Sequence, residues 1–170
     1  MHKDVIGDRS NADILGENVK SVKELVTFVE RTVWIVSDLN EIACKYISVG
    51  KKYGIRGDIA FCQAILETNY FRFGNGSAVT KDQHNYCGMG VTSKGVKGNT
   101  FKTIGEGVTA HIQHLYAYAC KLDLPKNEIL IDPRFKYVKR GCSPTWYMLG
   151  GKWSTSKEYG YKILSIYEKV

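Results

Sequence analysis

The fold is decided by residues 56–74, which read RGDIAFCQAILETNYFRFG. Asp58 can cap a helix there, because a short acidic side chain accepts the unpaired N–H groups of a first turn. This helix is predicted by apolar residues at helical spacing, namely Ile59, Cys62, Ile65 and Leu66. Gln63 and Glu67, four residues apart, share another face of it. The aromatic and glycine-containing loop that follows would leave Glu67 half desolvated at a cleft edge, which raises the pKa of a carboxyl group and suits a general acid.

Capping signals and apolar periodicity predict helices on both sides of this segment. Ser21 opens one helix with a capping box, and a second helix begins near Asp38. Thr103 and Glu106 have capping-box spacing ahead of a fourth helix, and a closing helix runs over residues 156–169. We therefore expect a mainly α, α+β domain in which a helical bundle surrounds the helix quoted above.

The connection between the third and fourth helices is predicted to be irregular. Residues 71–100 are too rich in Gly, Asn, Ser and Lys for a helix. They predict a loop that includes one small β-hairpin over residues 88–101, beside the cleft.

The chain has the size of one domain. Its 170 residues suffice for a core without cross-links, and 44% of them are hydrophobic, which is ordinary for a globular protein. The first 18 residues are polar and aperiodic, so we expect a loosely held arm over residues 1–18 and one domain over residues 19–170. No apolar stretch approaches the ~20 residues of a membrane span, and the start lacks the apolar core of a secretory signal. We expect a monomer whose export signal lies outside this sequence or whose release depends on another protein.

Cysteine usage and charge exclude several classes of protein. Five cysteines occur without a C-x-x-C pair, which argues against a disulfide framework and a zinc site and predicts mostly buried thiols. His111 and His114 lack matching ligands one helical turn away, so we expect no metal and no cofactor. The formal net charge of +7 indicates either an anionic partner or only a solvated basic surface. Nucleic acid is not expected, because the sequence has no Gly-rich phosphate loop, recognition motif or zinc knuckle.

Four separated segments resemble the glucosaminidase family of bacterial peptidoglycan hydrolases, over about five-sixths of the chain. Residues 56–74 resemble its helix that ends in a catalytic Glu-Thr pair, and residues 84–90, HNYCGMG, resemble its Asn-Asn-aromatic-x-Gly-Ile segment. Residues 101–115 resemble the helix that follows, and residues 132–159 resemble the C-terminal region of clostridial-type members. The resemblance implies a lysozyme-like fold with an aromatic of the sugar cleft at Trp153.

The resemblance also implies an activity. It is that of an endo-β-N-acetylglucosaminidase, which cleaves the bond from N-acetylglucosamine to N-acetylmuramic acid in peptidoglycan, with Glu67 protonating the leaving glycosidic oxygen. The implied partners are peptidoglycan glycan strands and, given the basic charge, anionic wall polymers. The implied location is extracellular or the cell wall, for an autolysin, a phage lysin or an excised catalytic domain alike. Two alternatives stay open: a lytic transglycosylase of the same fold, and a non-catalytic wall-binding module.

A hydrolase with two carboxylates needs a second acid across the sugar from Glu67. Glu106 is the candidate, although the capping box at Thr103 accounts for it as well. Asp82 lies in a polar loop and is expected to be solvated, and His84 is expected at the surface. We therefore favour substrate-assisted chemistry, in which the N-acetyl oxygen of the bound sugar attacks its own anomeric carbon while Glu67 protonates the leaving group.

The remaining candidates would bind substrate, namely Gln63, Tyr70, Asn85, Tyr86, Met89, Trp153 and Tyr159. Asn85 and Tyr86 could donate hydrogen bonds to the sugar, or else hold a turn and pack beneath the loop. Trp153 and Tyr159 offer flat faces to a pyranose ring, or else are buried in the core. Asn69 stands where the family commonly has glycine, which predicts a positive φ that asparagine tolerates.

Overall fold

Five α-helices form the structure, a computed structural model that describes residues 12–74 and 77–170. They are α1 (Val22–Glu30), α2 (Leu39–Tyr53), α3 (Gly57–Glu67), α4 (Ile104–Ala119) and α5 (Tyr159–Tyr167). Short 3-10 helices lie in the connections, at Lys81–Gln83, Phe135–Tyr137 and Trp146–Leu149. The described residues hold no β-strand, only isolated bridges. The mainly α fold class is therefore confirmed.

The central helix is α3. Nine of its eleven residues are buried, and it packs between α2 and α5, while α1 and α4 pack against α2. Glycine allows the close approach of α2 and α3, because a Cβ atom on Gly57 would lie 2.0 Å from the backbone oxygen of Tyr46. The bundle is thus built around the helix that the sequence placed at its centre.

Asp58 does not cap α3 as predicted but lies inside its first turn. Its carboxylate is fully buried and forms an ion pair of 3.0 Å with the guanidinium of Arg56. It also accepts the backbone N–H groups of Val19 and Lys20. Burial acts to raise the pKa of Asp58, but these hydrogen bonds hold it below its usual value. The carboxylate therefore ties the start of α3 to the chain that precedes α1.

Residues 12–18 pack against the bundle, whereas the sequence predicted a loose arm over residues 1–18. Ile14 is fully buried, its N–H donates to the carbonyl of Pro144, and its carbonyl accepts the N–H of Arg56, each at 2.9 Å. The sequence did not indicate this contact, because Ala12, Ile14 and Leu15 are too few apolar residues to show a period. The preceding part of the predicted arm lies outside the described residues.

The β-hairpin predicted over residues 88–101 does not form. A backbone hydrogen bond crosses the segment, from the N–H of Asn99 to the carbonyl of Met89 at 2.8 Å, but no strand follows it among the described residues. Glycines turn the chain out of the extended region instead, with φ of 65°, 80° and 84° at Gly88, Gly90 and Gly95. The segment is therefore an irregular loop.

The helix starts largely follow the sequence prediction. Ser21 forms a capping box with Glu24 at the start of α1, and the hydroxyl of Thr103 accepts the N–H of Glu106 at the start of α4. Helix α5 is shorter than the closing helix predicted over residues 156–169. None of the described helices is both long and apolar enough to cross a membrane.

All five cysteines are free thiols. Cys62 and Cys87 are buried, Cys120 and Cys142 are partly exposed, and Cys44 is exposed. Two of the five thiols are buried, so the expectation that most of them would be buried was wrong.

Candidate active site

Glu67 is the last residue of α3, and its side chain is partly exposed. Burial raises the pKa of this carboxyl above its usual value, while a hydrogen bond from Tyr159 acts in the opposite direction. The hydroxyl of Tyr159 donates that bond to Oε1. The other oxygen, Oε2, faces Gly88, where an added Cβ atom would lie 3.6 Å away. One oxygen of the carboxyl is thus bonded inside the protein, and the other is turned to the loop before α4.

A left-handed turn places Glu67 at the edge of the bundle. Asn69, Tyr70 and Phe71 have φ of 51°, 59° and 56°, so the chain leaves α3 sharply. The hydroxyl of Thr68 stabilises the turn, because it donates to a backbone carbonyl of α3 at 2.7 Å and accepts the N–H of Phe71 at 2.9 Å. The positive φ predicted at Asn69 is confirmed, and the turn continues it over two further residues.

A chain of buried hydrogen bonds lies behind Glu67. The Nε2 of Gln63 donates to the hydroxyl of Tyr159 at 2.9 Å, and the Oε1 of Gln63 is 2.9 Å from Nε2 of His111. The Nδ1 of His111 is 2.7 Å from the hydroxyl of Tyr46. Burial lowers the pKa of His111 to about 3, so its imidazole is neutral.

The sequence predicts that Gln63 and Tyr159 contact substrate, but both side chains are buried between helices. Their polar groups bond to each other and to protein neighbours instead of facing a cleft. Sequence reasoning missed the part played by His111 and Tyr46. A signal was present, because each is a polar side chain within the apolar face of its helix, and a buried polar group needs a hydrogen-bond partner.

Gly88, beside Glu67, lines a surface groove. The loop of residues 87–92 forms one of its walls and Trp153 forms another. Trp153 is partly exposed, and its ring packs against that of His114 with the centroids 4.8 Å apart. Glu67 therefore lies beside Gly88, and Gly88 and Trp153 line the same groove.

The rest of the groove combines apolar side chains with a basic rim. Met89, a predicted binding residue, lines the groove but is only 4% exposed. Arg134 and Lys152 also line it. His114 lines the groove as well, and its Nδ1 is 2.7 Å from the buried carboxylate of Asp132, which holds the imidazole in place.

Asn85 and Tyr86, both predicted to bind sugar, do not line the groove of Gly88 and Trp153. Asn85 is fully buried. Its Nδ2 donates to the carbonyls of Met89 and Asn99, and its Oδ1 accepts the N–H of Met89, all at 2.9 Å. Tyr86 is 2% exposed and packs on Tyr46, with ring centroids 6.3 Å apart. Both residues therefore hold the loop, the alternative that the sequence left open.

Three further residues singled out in the sequence do not line the groove of Gly88 and Trp153. Tyr70 packs on Phe28 of α1, with ring centroids 6.2 Å apart. His84 is partly exposed, and its Nδ1 is bonded to a backbone carbonyl at 3.0 Å. Asp82 is exposed, as expected.

Glu106 is engaged at the start of α4. Its Oε2 accepts the N–H of Lys102 at 2.9 Å, and its own N–H donates to the hydroxyl of Thr103 at 3.1 Å. Within residues 12–74 and 77–170, no hydrogen bond or ion pair joins it to Glu67. The geometry is that of a helix cap.

No group of three or more His, Cys, Asp or Glu side chains in the described part of the chain is arranged to hold a metal ion. Both ring nitrogens of His111 are bonded to protein side chains. The Nδ1 of His114 is bonded to Asp132.

Comparison with known proteins gives a family match over most of the chain. Residues 43–170 match the sequence model of the family Glucosaminidase, described as mannosyl-glycoprotein endo-beta-N-acetylglucosaminidase. An uncharacterized protein of Borreliella burgdorferi is 46% identical over 128 residues, which are 75% of this chain and 61% of that protein. The chain therefore spans about three-fifths of that relative's length.

Solved structures of S. aureus autolysin E have a similar fold. The complex of that protein with the muropeptide NAM-L-ALA-D-iGLU matches with a TM-score of 0.58 and 12% identity, over 97% of this chain and 72% of that chain. A catalytic mutant, in which a glutamate is replaced by alanine, is in complex with the disaccharide NAG-NAM and matches with a TM-score of 0.59 and 11% identity, over the same shares. At these identities the likeness shows the fold alone.

Proposed function

The chain belongs to the glucosaminidase family, and from that premise we propose that it is a glycoside hydrolase of peptidoglycan, an endo-β-N-acetylglucosaminidase. The observation that carries the proposal is Glu67, whose carboxyl has a pKa raised by burial and turns one oxygen to a groove. The similar fold of S. aureus autolysin E, which is solved with a muropeptide and with NAG-NAM, supports the choice of substrate. The bond cleaved would join N-acetylglucosamine to N-acetylmuramic acid.

Glu67 would act as the general acid. A carboxyl that keeps its proton to higher pH can donate it to the glycosidic oxygen as the bond from that oxygen to the anomeric carbon breaks. In S. aureus autolysin E, a glutamate-to-alanine change makes a catalytic mutant. This agrees with a glutamate as the acid.

Substrate-assisted chemistry fits the site better than a pair of carboxylates. The carbonyl oxygen of the 2-acetamido group would attack the anomeric carbon, form an oxazolinium ion and displace the oxygen that takes the proton of Glu67. Water would then open this ion with retention and return a proton to the Glu67 carboxylate. The engagement of Glu106 as a helix cap supports this route.

The groove would hold the glycan strand. Trp153 is partly exposed there and offers an aromatic face to the C–H groups of a pyranose ring. Arg134 and Lys152 on the rim, together with the net charge of +7, would favour a wall that carries acidic groups.

We further propose that the catalytic unit acts on the cell wall as a monomer. The helices α1 to α5 and the connections between them form one packed body around α3. Residues 12–18 belong to it, because Ile14 is buried against the bundle. This contact supports a unit that begins before residue 19, the boundary that the sequence indicated.

Analysis of the products tests the proposed reaction. Purified peptidoglycan is digested with the chain, the soluble muropeptides are reduced with borohydride, and their masses are measured. Hydrolysis adds one water per bond cleaved, so we expect reduced N-acetylglucosamine at the new chain ends. Anhydro-muramic ends, which form without addition of water, would instead identify a lytic transglycosylase and overturn the proposal.

A binding measurement on the same material separates an enzyme from a wall-binding module. Glu67→Gln is expected to lower the rate of release of muropeptides about 100-fold or more, while adsorption to the wall stays unchanged. Adsorption without any release by the unsubstituted chain would indicate a non-catalytic module.

A further inference from the structure

The hydrogen bonds behind Glu67 form one continuous chain across the bundle. It runs from Tyr46 on α2 to His111 on α4, then to Gln63 on α3, to Tyr159 on α5 and finally to Glu67. The first three side chains have no exposed surface, and Tyr159 is 5% exposed. Each of these polar groups therefore depends on its protein neighbours for hydrogen bonds.

The direction of each bond is determined once Glu67 is ionised. A carboxylate only accepts hydrogen bonds, so Tyr159 donates its O–H to Glu67. The oxygen of Tyr159 then accepts an amide N–H of Gln63, which turns the side-chain carbonyl of Gln63 to His111. A carbonyl cannot donate, so neutral His111 carries its proton on Nε2.

The contact between Tyr46 and His111, at the other end of the chain, keeps the hydrogen bonds in this direction when Glu67 is protonated. The bare Nδ1 of His111 accepts the O–H of Tyr46. A reversed chain would place the proton of His111 on Nδ1, and the O–H of Tyr46 would lose the acceptor that it has in the described structure. An unpaired donor in a fully buried site is unfavourable, so the reversed chain is disfavoured.

We infer that His111 and Gln63, anchored by Tyr46, are positioning residues that keep Oε1 of Glu67 a hydrogen-bond acceptor and so leave the transferable proton on Oε2. Oε2 is the oxygen that faces Gly88, and Gly88 lines the groove. This inference rests on the proposed role of Glu67 as general acid and deepens it, because it names the oxygen that gives up the proton.

This chain of hydrogen bonds from Tyr46 to Glu67, called the relay below, acts through the direction of its bonds rather than through a charge on His111. Burial keeps His111 neutral, with a pKa of about 3, across the pH range in which a general acid operates. The other titratable groups that face the chain from the packed elements are Tyr86 and Cys87 in the loop before α4, and His114 on α4.

The substitution Tyr46→Phe tests the relay at the end farthest from the chemistry. Without the hydroxyl, Nδ1 of His111 has no partner in either direction, as a bare acceptor in the forward chain or as an N–H donor in the reversed one. The fully bonded forward chain is therefore lost, its advantage over the reversed chain becomes smaller, and part of the enzyme carries its proton on Oε1. We expect kcat to fall roughly five-fold, the effect of one hydrogen bond, with KM unchanged. The alkaline limb of the kcat profile should move to higher pH, because a carboxylate that receives a weaker hydrogen bond holds its proton more tightly.

Tyr53→Phe is the matched control. Tyr53 also joins α2 to α4, since its hydroxyl accepts from Gln113 and donates to Glu128, both at 2.8 Å, but it is not part of the chain that ends at Glu67. We expect this variant to lose stability as Tyr46→Phe does, with the kcat profile of the unsubstituted enzyme. An unchanged profile in Tyr46→Phe, or the same shift in Tyr53→Phe, would overturn the inference.

Nitrogen NMR of the imidazole of His111 tests the direction without an activity assay. We expect the neutral ring with its proton on Nε2 at neutral pH, in a signal assigned by its loss in His111→Gln. A proton on Nδ1, or a doubly protonated ring, would contradict the relay. If the chain cleaves no peptidoglycan, the proposed function fails while the NMR result still decides the direction; if it is active with the proton on Nδ1, only the relay fails.

Discussion

Glu67 illustrates how the properties of one residue depend on its neighbours. It ends α3 as Glu30 ends α1, but Glu30 is exposed and Glu67 is largely surrounded by protein. Burial disfavours the ionised form of Glu67 and raises its pKa, and the hydrogen bond from Tyr159 offsets this only in part. A carboxyl group held in this way is suited to proton transfer, but it makes the folded protein less stable.

The substitution Glu67→Gln should therefore make the folded protein more stable at neutral pH. The amide keeps an oxygen that can accept the O–H of Tyr159, and it removes the penalty for a buried charge. We expect the free energy of unfolding to rise by roughly 0.5–1 kcal/mol, measured by urea denaturation. Glu30→Gln is the matched control, because it removes a charge at a helix C-terminus where the carboxylate is exposed.

The pH dependence of this gain follows from the direction of the pKa shift. Because the folded state of Glu67 has the higher pKa, the unsubstituted chain loses stability as pH rises from the unfolded pKa to the folded one. The advantage of Glu67→Gln over Glu30→Gln should be complete above the folded pKa and vanish below about pH 4, the region of an unfolded glutamate. An advantage that persists in acid would contradict a raised pKa.

Among the elements, the contact between α2 and α3 decides where Glu67 stands. Gly57 begins α3 directly against the backbone of α2, with no room for a side chain. The left-handed turn at the other end of α3 then directs the chain away after Glu67. The position of the carboxyl is therefore set by backbone packing at both ends of one helix.

The substitution Gly57→Ala tests this contact. The new Cβ atom would lie 2.0 Å from the carbonyl oxygen of Tyr46, so α2 and α3 would have to separate. We expect a loss of about 3 kcal/mol or more in the free energy of unfolding, with reduced activity in the variant that still folds. Gly105→Ala in α4 is the control, because its Cβ atom would approach nothing closer than 3.7 Å, and alanine favours a helix. Equal stability of the two variants would refute the role of the close approach.

For the whole molecule, the segment before α1 joins distant parts of the bundle. Ile14 bonds on one side to Pro144, ahead of the 3-10 helix Trp146–Leu149, and on the other to Arg56, at the start of α3. It thereby connects the N-terminal part of the chain to both the central helix and the C-terminal region.

Shortening the side chain of Ile14 should consequently lower the stability of the whole folded protein. Ile14→Ala is expected to lower the free energy of unfolding by about 3 kcal/mol in one cooperative transition, because a fully buried side chain leaves a cavity. Leu15→Ala, next in sequence and 38% exposed, should cost less than about 1 kcal/mol. Thermal or urea unfolding distinguishes the two, and a neutral Ile14→Ala would restore the view of this segment as a loose arm.

The sequence by itself determined the helices and the place of the acid in one of them. Capping at Ser21 and Thr103, the apolar spacing of α3 and the positive φ of Asn69 all follow from interactions within a few residues, which sequence patterns record. The predicted β-hairpin did not form. The local sequence could not exclude it, because glycines that are compatible with a hairpin turn are also compatible with an irregular loop.

Only the tertiary structure decided which polar side chains meet. Gln63 reaches Tyr159 across 96 residues of sequence and His111 across 48, so no local pattern could pair them or show that they are buried. The same holds for Asn85 and Tyr86, whose side chains turn inward, while Trp153 stays at the groove. Helix formation depends on neighbours along the chain, whereas hydrogen bonding in a core depends on neighbours in space, and those exist only after the helices have packed.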